Sequence, residues 1–503
     1  MAARDEVAIR ANEMLRRRGD SADGEEIVRI GRAFAAWIAA GRQAGPPPRV
    51  AVAADARPSS AGLREALVRG LASSGLPVAD LGYAPPAVLL ASMRRLRLDA
   101  GLAITGGHRP LDWNGVRFYL RERPLAENET REILRNARGL PDARLLPLRG
   151  PVTGLDMIPD YIRGLERTFA PLRERLRHQT IRAVVAGCHG IVSLTAPHVL
   201  SRIGCRVFRL GCTLERRAES AVPNPSDPAL LRAVGLTVRA SGSDLGLALG
   251  GDGERFRVVD QEGRAVPPDH LFALLAADAI APVPGAAVAC DLRMSDLVDE
   301  TIEAWGGRVV LARPGEAVSL DTPRTREVLL GGEIEGTVTF RDQDAAPADG
   351  TYAALRLIDI LARRREEAER PLPLRGILPP ERLRSPDLDW GTTQNPLHFH
   401  ELAESIRARA LRAEGVRGVH IEPGCAVRVR TRNGWGVLSR SPETGRVRMT
   451  YEGGTDEGFH EIGALFRESL GIVPGGGDWG EGLSASLAGG AGAVKTALPR
   501  ADN

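Results

Sequence analysis

Short apolar runs alternate along the chain with stretches that have the spacing of amphipathic helices. The run Val50 to Ala53 is typical of a buried strand, and the polar turn after it leads into a helix predicted from Ser60 to Ser73. Gly75 and a second strand near Val78 follow. Upstream, a helix is predicted from Glu25 to Ala40. The order strand, helix, strand predicts a βαβ unit in the first part of the chain.

The same pattern occurs twice more. The apolar runs 182–186 and 287–290 each lead through a polar turn into a helix, a glycine and a further apolar run. The spacing between the three units is about a hundred residues, which is close to the size of one small domain. The pattern therefore predicts three similar α/β domains in series, rather than one large sheet.

Proline- and glycine-rich stretches give the predicted boundaries of five segments. The three α/β domains are expected at 1–155, 156–264 and 265–372. A smaller α+β domain with the order helix, strand, strand, helix is expected at 373–474. The last segment, 475–503, is rich in glycine and alanine and is expected to be disordered.

Composition narrows the class of protein. Of 503 residues, 43% are hydrophobic and 26% charged, and 67 basic against 64 acidic residues leave a net charge of +3. This balance argues against nucleic acid or a membrane surface as a partner. The N-terminus has no apolar signal segment, and the apolar window 271–290 is interrupted by Asp and Pro. Five widely spaced cysteines are typical of reduced thiols. A cytoplasmic protein is expected.

Four loops carry the candidate chemistry, one in each predicted domain. They are TGGHRPLDWNG from residue 105, GGDGERFRVVD from 250, GGEIEG from 331 and GWGVLSRSPETG from 434. Two glycines allow a backbone to approach a ligand closely, and acids spaced two apart can direct their oxygens at one Mg²⁺ ion. Each loop alone is equally compatible with an ordinary turn with solvated acids.

In this order the four loops resemble those of the phosphomannomutase/phosphoglucomutase group of the α-D-phosphohexomutase superfamily. ADARPSS at 54–60 and VPNP at 222–225 add to the resemblance, which extends from about residue 25 to 473. It implies three α/β domains and a C-terminal domain around a central cleft. It also implies a phosphoserine in the first loop, Mg²⁺ on the second, sugar hydroxyls on the third and the substrate phosphate on the fourth.

The first loop departs from the family pattern TGSHNP. Gly107 stands where the resemblance implies the phosphoserine, and Arg117 stands where it implies a proton-transferring lysine. Glycine has no nucleophile and a guanidinium stays protonated, so both functions are predicted to be lost. Arg57 and His108 are retained as site residues. Thr105 is expected to pack within the loop.

The metal loop, DGDGDR in the family, is also altered. Gly250 replaces the first ligand, while Asp252 and Glu254 are the remaining candidate ligands and Arg255 the candidate substrate contact. The loss of one carboxylate and the lengthening of another predict weak Mg²⁺ binding.

The substrate loops keep some polar groups and lose others. The resemblance implies sugar contacts from Arg313, Glu333 and Glu335, and phosphate contacts from Ser439, Arg440 and Ser441, with Pro442 and Glu443 weakening the phosphate site. His398 and His400 alternate as strand neighbours would, and a surface position is favoured over a metal site for both.

Three hypotheses of function remain open. The first is a protein with the phosphohexomutase fold that has lost mutase activity and acts as a binding, regulatory or structural partner of an unidentified protein. The second is a divergent mutase acting on glucose or mannose phosphates. The third is a sensor that binds a hexose phosphate weakly, through Arg57, Glu333 and the cleft arginines, without turnover.

Overall fold

The computed structural model describes most of the chain, in twelve ranges. These are residues 7–10, 13–17, 23–41, 45–141, 147–214, 224–322, 324–343, 348–380, 382–385, 388–392, 396–441 and 445–470. The tail 475–503, residues 442–444 and the dipeptide Val222-Pro223, all named in the sequence analysis, lie outside the described residues.

The first domain is built on a mixed sheet. Its elements are β1 (Val7–Arg10), β2 (Glu13–Arg17), α1 (Asp23–Ala40), β3 (Val50–Ala54), α2 (Ser60–Ser73), β4 (Val78–Tyr83), α3 (Pro86–Leu96), β5 (Ala100–Ile104), β6 (Trp113–Leu120), β7 (Arg123–Pro124), α4 (Glu127–Arg138) and β8 (Val152–Gly154). The strand order is β1-β2-β6-β5-β3-β4-β8, with β7 paired to β6. The predicted βαβ unit is therefore confirmed, and the strands β1 and β2 before α1 were not predicted.

The second and third domains repeat one plan. The second contains α5 (Ile158–Thr168), α6 (Ala170–Arg175), β9 (Arg182–Ala186), α7 (Ala196–Ile203), β10 (Arg206–Leu210), α8 (Pro228–Ser241), β11 (Leu245–Leu249) and β12 (Phe256–Asp260). The third contains α9 (Pro268–Ile280), β13 (Ala287–Asp291), α10 (Asp296–Ala304), β14 (Arg308–Ala312), β15 (Val328–Gly332), β16 (Val338–Phe340) and α11 (Gly350–Glu367). Their sheets have the orders β10-β9-β11-β12 and β14-β13-β15-β16.

In both sheets the first three strands are parallel and the last pair is antiparallel. The antiparallel hairpin places a tight loop between β11 and β12, and another between β15 and β16. These are the two acidic loops of the sequence analysis. Loops at the carboxyl ends of parallel strands are the usual position of a functional site in α/β proteins.

Local signals explain where the helices begin and end. Asp227 caps α8 by accepting hydrogen bonds from the backbone N–H groups of Ala229 at 2.7 Å and Leu230 at 3.0 Å. Pro228 is the first residue of α8, where its missing N–H costs nothing. Gly242 ends the helix with a φ of +59°, a conformation that favours glycine.

The fourth domain has more strands than predicted. Its elements are β17 (Leu383–Arg384), β18 (Leu388–Thr392), α12 (Pro396–Ala410), β19 (Val416–Glu422), β20 (Ala426–Thr431), β21 (Gly434–Arg440), β22 (Arg446–Gly453) and α13 (Asp456–Ser469). The predicted two strands between two helices are an antiparallel meander of four, because tight turns at Gly424 and Gly445, both with φ near +70°, divide each predicted strand in two.

The strand predicted at His398 and His400 is wrong. Both residues lie in the first turn of α12, where residues two apart point to different sides of the helix. The alternation of the two histidines suggested a strand, but the apolar residues have helical spacing. Phe399, Ala403 and Ile406 are buried at spacings of four and three. Across the described residues, no group of three or more His, Cys, Asp or Glu side chains could hold a metal ion.

A buried arginine joins the fourth domain to the third. Arg428 on β20 is 1% exposed, donates to the carbonyl oxygen of Leu292 at 2.8 Å, and forms an ion pair with Asp296 at the start of α10. Its guanidinium lies over the indole of the buried Trp435, 4.5 Å from the ring centroid. A buried, paired guanidinium of this kind is costly to break, so it fixes the position of the domain.

The fold class is the predicted one, three similar α/β domains in series and a smaller α+β domain. The five cysteines are free thiols. Among the helices described, none combines the length and apolar character needed to cross a bilayer. The segment boundaries at 155, 264 and 372 stay predictions.

Candidate functional site

The first loop leaves β5 and turns sharply at two glycines. A side chain at Gly106 would collide with the carbonyl of Trp113 and the guanidinium of Arg57. Gly107 has a φ of +60°, and a Cβ built on it would lie 3.0 Å from a guanidinium nitrogen of Arg117 and 3.7 Å from a carboxylate oxygen of Asp252. Position 107 therefore faces the second loop, and it offers no side chain to react.

Arg57 holds the first loop in place through hydrogen bonds to its backbone. Its guanidinium is 4% exposed and donates to the Asp55 carboxylate at 3.0 Å. It also donates to four backbone carbonyls at 2.6 to 2.9 Å, those of Gly107, Arg109, Pro110 and Trp113. All of its donor groups are used, so in this structure Arg57 positions the loop and does not face a ligand.

The hydroxyl and thiol groups nearest to position 107 are inert. Thr105 is 1% exposed, and its hydroxyl oxygen accepts the N–H of Gly107 at 3.0 Å. Cys188 lines the same recess as Gly107, between the first two domains. Burial raises the pKa of the Cys188 thiol to about 12, so the nucleophilic thiolate is not formed near neutral pH.

The second loop lies against Arg117. This residue is on β6 of the first domain, and Nη1 of its guanidinium forms an ion pair with Glu254 and lies 3.6 Å from Asp252. Burial by itself disfavours the charged form, but the carboxylates of Glu254 and Glu13 hold the pKa of Arg117 well above its ordinary value. Burial raises the pKa of Glu254 to about 7 despite the opposing effect of Arg117.

Glu13 completes this cluster from the N-terminal strand β2. It is the cross-strand neighbour of Arg117 in the antiparallel pairing of β2 with β6. Its carboxylate accepts a hydrogen bond from Nε of Arg117 at 2.8 Å, and it is 7% exposed. One guanidinium therefore binds three carboxylates, two from the second domain and one from the first.

These side chains, as arranged, do not fit the Mg²⁺ ion that the resemblance implies. Magnesium requires oxygen ligands in near-octahedral geometry at roughly 2.0 to 2.1 Å. A divalent ion bound by Asp252 or Glu254 would lie about 4 Å from the Arg117 guanidinium, where repulsion costs roughly 8 kcal/mol at an effective dielectric constant of about 20. Gly250, at the position of the first ligand in the family loop, provides no carboxylate.

The third loop brings two glutamates and two arginines together. Glu335 accepts hydrogen bonds from Arg293 at 2.6 and 2.8 Å, and although burial opposes its ionisation, Arg293 holds the pKa of Glu335 below its ordinary value. Glu333 accepts the N–H of Gly315. Burial, and then the carboxylate of Glu335, raises the pKa of Glu333 to about 7. Arg255 opposes this rise.

Arg255 connects the second and third loops. Its backbone forms an isolated antiparallel bridge with Thr337, directly after the third loop. Within the described part of the chain its guanidinium makes no hydrogen bond, although it is close enough to Glu333 and Glu335 to lower their pKa. This half-buried guanidinium is available to an anion in the cleft.

The fourth domain meets the third domain at a second ion-pair cluster. Arg313 and Arg324 each lie 3.2 Å from the carboxylate of Glu422, at the end of β19, and 3.5 to 3.6 Å from Glu316. The two arginine side chains are 51% and 41% exposed, against 9% for Glu422. The Glu422 carboxylate therefore pairs with both arginines and neutralises part of their charge.

The predicted phosphate-binding residues lie beside this cluster. Arg440 is buried and its guanidinium is 3.4 Å from the carbonyl of Gly424. Burial raises the pKa of the Cys425 thiol, and the charges of Arg313 and Arg440 oppose that rise. These two predicted residues therefore both lie near Cys425. Ser439 lies on β21, with its hydroxyl 3.5 Å from the carbonyl of Arg448, and Ser441 follows at the strand end.

Comparisons with known proteins agree with this architecture. Models of phosphoglucomutase/phosphomannomutase α/β/α domains I, II and III match residues 15–142, 159–263 and 267–372. The phosphomannomutase/phosphoglucomutase of Pseudomonas aeruginosa is 30% identical over 456 residues, which cover 90% of this chain and 93% of that protein. The chain belongs to the phosphoglucomutase/phosphomannomutase family.

Other family members are similar over comparable lengths. The phosphoglucomutase of Neisseria gonorrhoeae is 27% identical over 443 residues, covering 87% of this chain and 91% of that protein. The crystal structure of a phosphoglucomutase/phosphomannomutase family protein from Burkholderia thailandensis superimposes with a TM-score of 0.75 at 26% identity. It covers 92% of this chain and 96% of that one. The family relationship thus extends through the fourth domain.

The site residues given by the family motifs stay predictions, and the motifs did not indicate the charged side chains that pair with them. They did not identify Glu13, Arg293 or Glu422, each of which pairs with a predicted residue. His108 was predicted and is half-buried in the first loop. Glu13 is an acidic residue next to the apolar residues Met14 and Leu15, but this local pattern does not indicate its partner. Only the pairing of β2 with β6 shows that Glu13 faces Arg117.

Proposed function

We propose that this family member has lost phosphoserine-dependent mutase catalysis and acts as a binding, regulatory or structural partner of another protein. The fold is that of the family. Arg117, Glu335 and Glu422, which face the loops between the domains, are each paired with an opposite charge of the chain.

The observation that carries the proposal is Gly107. A mutase of this kind needs a side-chain oxygen that exchanges a phosphoryl group with the sugar, and glycine provides none. The nearby Thr105 hydroxyl is buried in the loop, and the Cys188 thiol has a pKa of about 12. Arg117 stays protonated and cannot serve as a general base.

A coupled assay tests this directly. Glucose 1-phosphate or mannose 1-phosphate is supplied with the matching 1,6-bisphosphate and Mg²⁺, and formation of the 6-phosphate is followed through a dehydrogenase. We expect no turnover above a blank without enzyme. In parallel, intact-protein mass spectrometry after incubation with the bisphosphate should show no added phosphoryl group.

The control is Glu333→Ala, purified in the same way. A contaminating host mutase gives the same background rate in both preparations, because that rate does not depend on Glu333. Turnover that is present in the native chain and absent in Glu333→Ala would contradict the proposal. It would support the alternative of a divergent phosphoglucomutase or phosphomannomutase.

A second candidate function is hexose phosphate binding without turnover. Arg255, whose guanidinium makes no hydrogen bond within the described residues, favours it, together with the retained Glu333. A ligand that binds the folded state raises the melting temperature. We expect glucose 6-phosphate to raise it in the native chain and not in Arg255→Gln. Equal shifts in both, or none at millimolar ligand, would exclude this site.

The partner and the cellular location are part of the proposal. A family member without turnover is expected to bind a protein, and its cytoplasmic location follows from its composition. Affinity capture from the native host with the full chain, repeated with a chain carrying Arg313→Glu, tests the partner idea. Recovery of one protein in both captures supports a partner that binds outside the cleft.

A further inference from the structure

The carboxylates of the second loop are paired with a positively charged side chain of the first domain. Glu254 forms an ion pair with Nη1 of Arg117, and Asp252 lies 3.6 Å from the same nitrogen. The three side chains are between 4% and 16% exposed, so solvent screens this contact only weakly. The guanidinium therefore compensates the charge of the loop.

The position of Arg117 is fixed by the sheet of the first domain. It lies on β6 between β5 and β2, and Glu13 on β2 binds its Nε at 2.8 Å. This contact orients the guanidinium so that Nη1 is directed across the domain junction. A lysine could not make both contacts with the same geometry, because it carries a single nitrogen.

We propose that Arg117 is a built-in counter-cation that replaces a divalent ion on the second loop and ties the first domain to the second. Glu13 is its positioning residue. The site is therefore independent of metal in the native chain. When the guanidinium is removed, Asp252 and Glu254 lose their shared counter-cation, and their oxygens then bind a divalent ion together with water. The inference does not depend on whether the protein turns over a sugar phosphate.

The first test uses the native full-length chain and Mn²⁺ as the probe, because Mn²⁺ has an electron paramagnetic resonance signal that is lost on binding. We expect the signal of free Mn²⁺ to persist in an excess of protein, and Mn²⁺ or Mg²⁺ to leave the melting temperature where it is in EDTA. Binding of one Mn²⁺ per chain that Glu254→Gln abolishes would overturn the proposal. This test needs no variant that removes Arg117.

The second test uses Arg117→Gln, which keeps a polar side chain of similar length. We expect a lower melting temperature in EDTA, recovery of part of the loss with Mn²⁺, and one Mn²⁺ bound per chain. If the variant is not recovered without metal, expression and purification in Mn²⁺ should restore it. A variant that folds in EDTA and neither binds Mn²⁺ nor gains stability from it would contradict the proposal.

Arg64→Gln is the matched control. Arg64 on α2 forms a part-buried ion pair with Asp80 on β4 of the same domain, with side chains 19% and 21% exposed. We expect this variant to lose stability without recovery by Mn²⁺. Arg117→Lys separates charge from geometry: it should bind no Mn²⁺, because the positive charge is kept. Equal Mn²⁺ binding by Arg117→Lys and Arg117→Gln would contradict the proposal that the positive charge at position 117 excludes the ion.

Discussion

Two junctions between domains, called here the acidic end and the basic end, use opposite charges to the same effect. At the junction of the first two domains, an acidic loop is compensated by Arg117. At the junction of the last two, Arg313 and Arg324 are compensated by Glu422. At each junction the charge of one domain is neutralised by an oppositely charged side chain of the neighbouring domain.

The ends differ in their exposure to solvent. The side chains of Arg117 and Glu254 are 11% and 16% exposed, whereas Arg313 and Arg324 are 51% and 41% exposed. Exposed ion pairs contribute little to stability and are easily displaced, while a buried pair is costly to break. We therefore expect the acidic end to exclude a cation and the basic end to admit an anion that competes with Glu422.

The largest effect is expected at the buried end. Arg117→Ala leaves Glu13, Asp252 and Glu254 without their cation, which should lower the free energy of unfolding by about 3 to 5 kcal/mol. Arg313→Ala at the exposed end should lower it by about 1 kcal/mol or less. Urea denaturation measures both. Equal losses would show that the two ends do not differ as proposed.

The free energy of unfolding should depend on pH through Glu333 in the third loop. Burial raises the pKa of Glu333 from 4.5 to about 7, so the folded state favours the neutral acid. Stability from this group is complete below pH 4.5 and is lost as the pH rises through 7, by on the order of 2 to 3 kcal/mol. The native chain should therefore lose stability relative to Glu333→Gln between pH 5 and 8, as measured by urea denaturation.

Glu335→Gln is the control for this pH effect. The pKa of Glu335 is held below its ordinary value, mainly by Arg293 acting against burial. Its contribution is present above its unfolded pKa and is lost as the pH falls. The stability difference between the native chain and Glu335→Gln should thus grow as the pH rises from 3 to 5. The same sign of pH dependence for both variants would contradict the assignment.

A smaller effect is expected at position 107. Gly107→Ser forces a side chain into a φ of +60°, which costs about 1 to 2 kcal/mol. It also places the Cβ 3.0 Å from Arg117. Gly82→Ser has the same strain at a φ of +64°, with no atom within 4 Å, and should lose less stability. We expect no mutase turnover in Gly107→Ser, since Arg117 still blocks proton transfer, and measurable turnover would contradict this.

The smallest effect is expected at the exposed end. Glu422→Gln removes the carboxylate that competes with a bound anion, so inorganic phosphate should bind about two- to fivefold more tightly, corresponding to roughly 0.5 to 1 kcal/mol. Calorimetric titration measures this affinity. Glu366→Gln, in an exposed ion pair with Arg175 outside the cleft, serves as the control and should leave phosphate affinity unchanged.

Elements with a clear local pattern were predicted well from the sequence. The helix Ser60–Ser73 and the strand Arg182–Ala186 have the predicted bounds. Apolar runs between glycine and proline are local signals, and the polypeptide follows them because burial of those runs stabilises the fold. The N-terminal strands and the fourth-domain meander were missed because short polar strands are stabilised by their neighbours.

The candidate site was predicted only in part. Residues 107, 252, 254 and 333 were found because they stand at family motif positions, but a motif gives no information on what a side chain pairs with. Glu13 and Arg117 are 104 residues apart, and Arg324 and Glu422 are 98 apart. No periodic pattern relates residues at such separations.

The sequence by itself determined the family, the order of the domains and the absence of an oxygen at position 107, because these depend on residue identity and local periodicity. The tertiary structure decided which charged groups contact each other. Arg117 pairs with the acidic second loop, Glu422 pairs with two arginines, and Arg57 donates hydrogen bonds to the backbone of the first loop. The physical reason is that electrostatic energy depends on distance and burial, which only folding establishes.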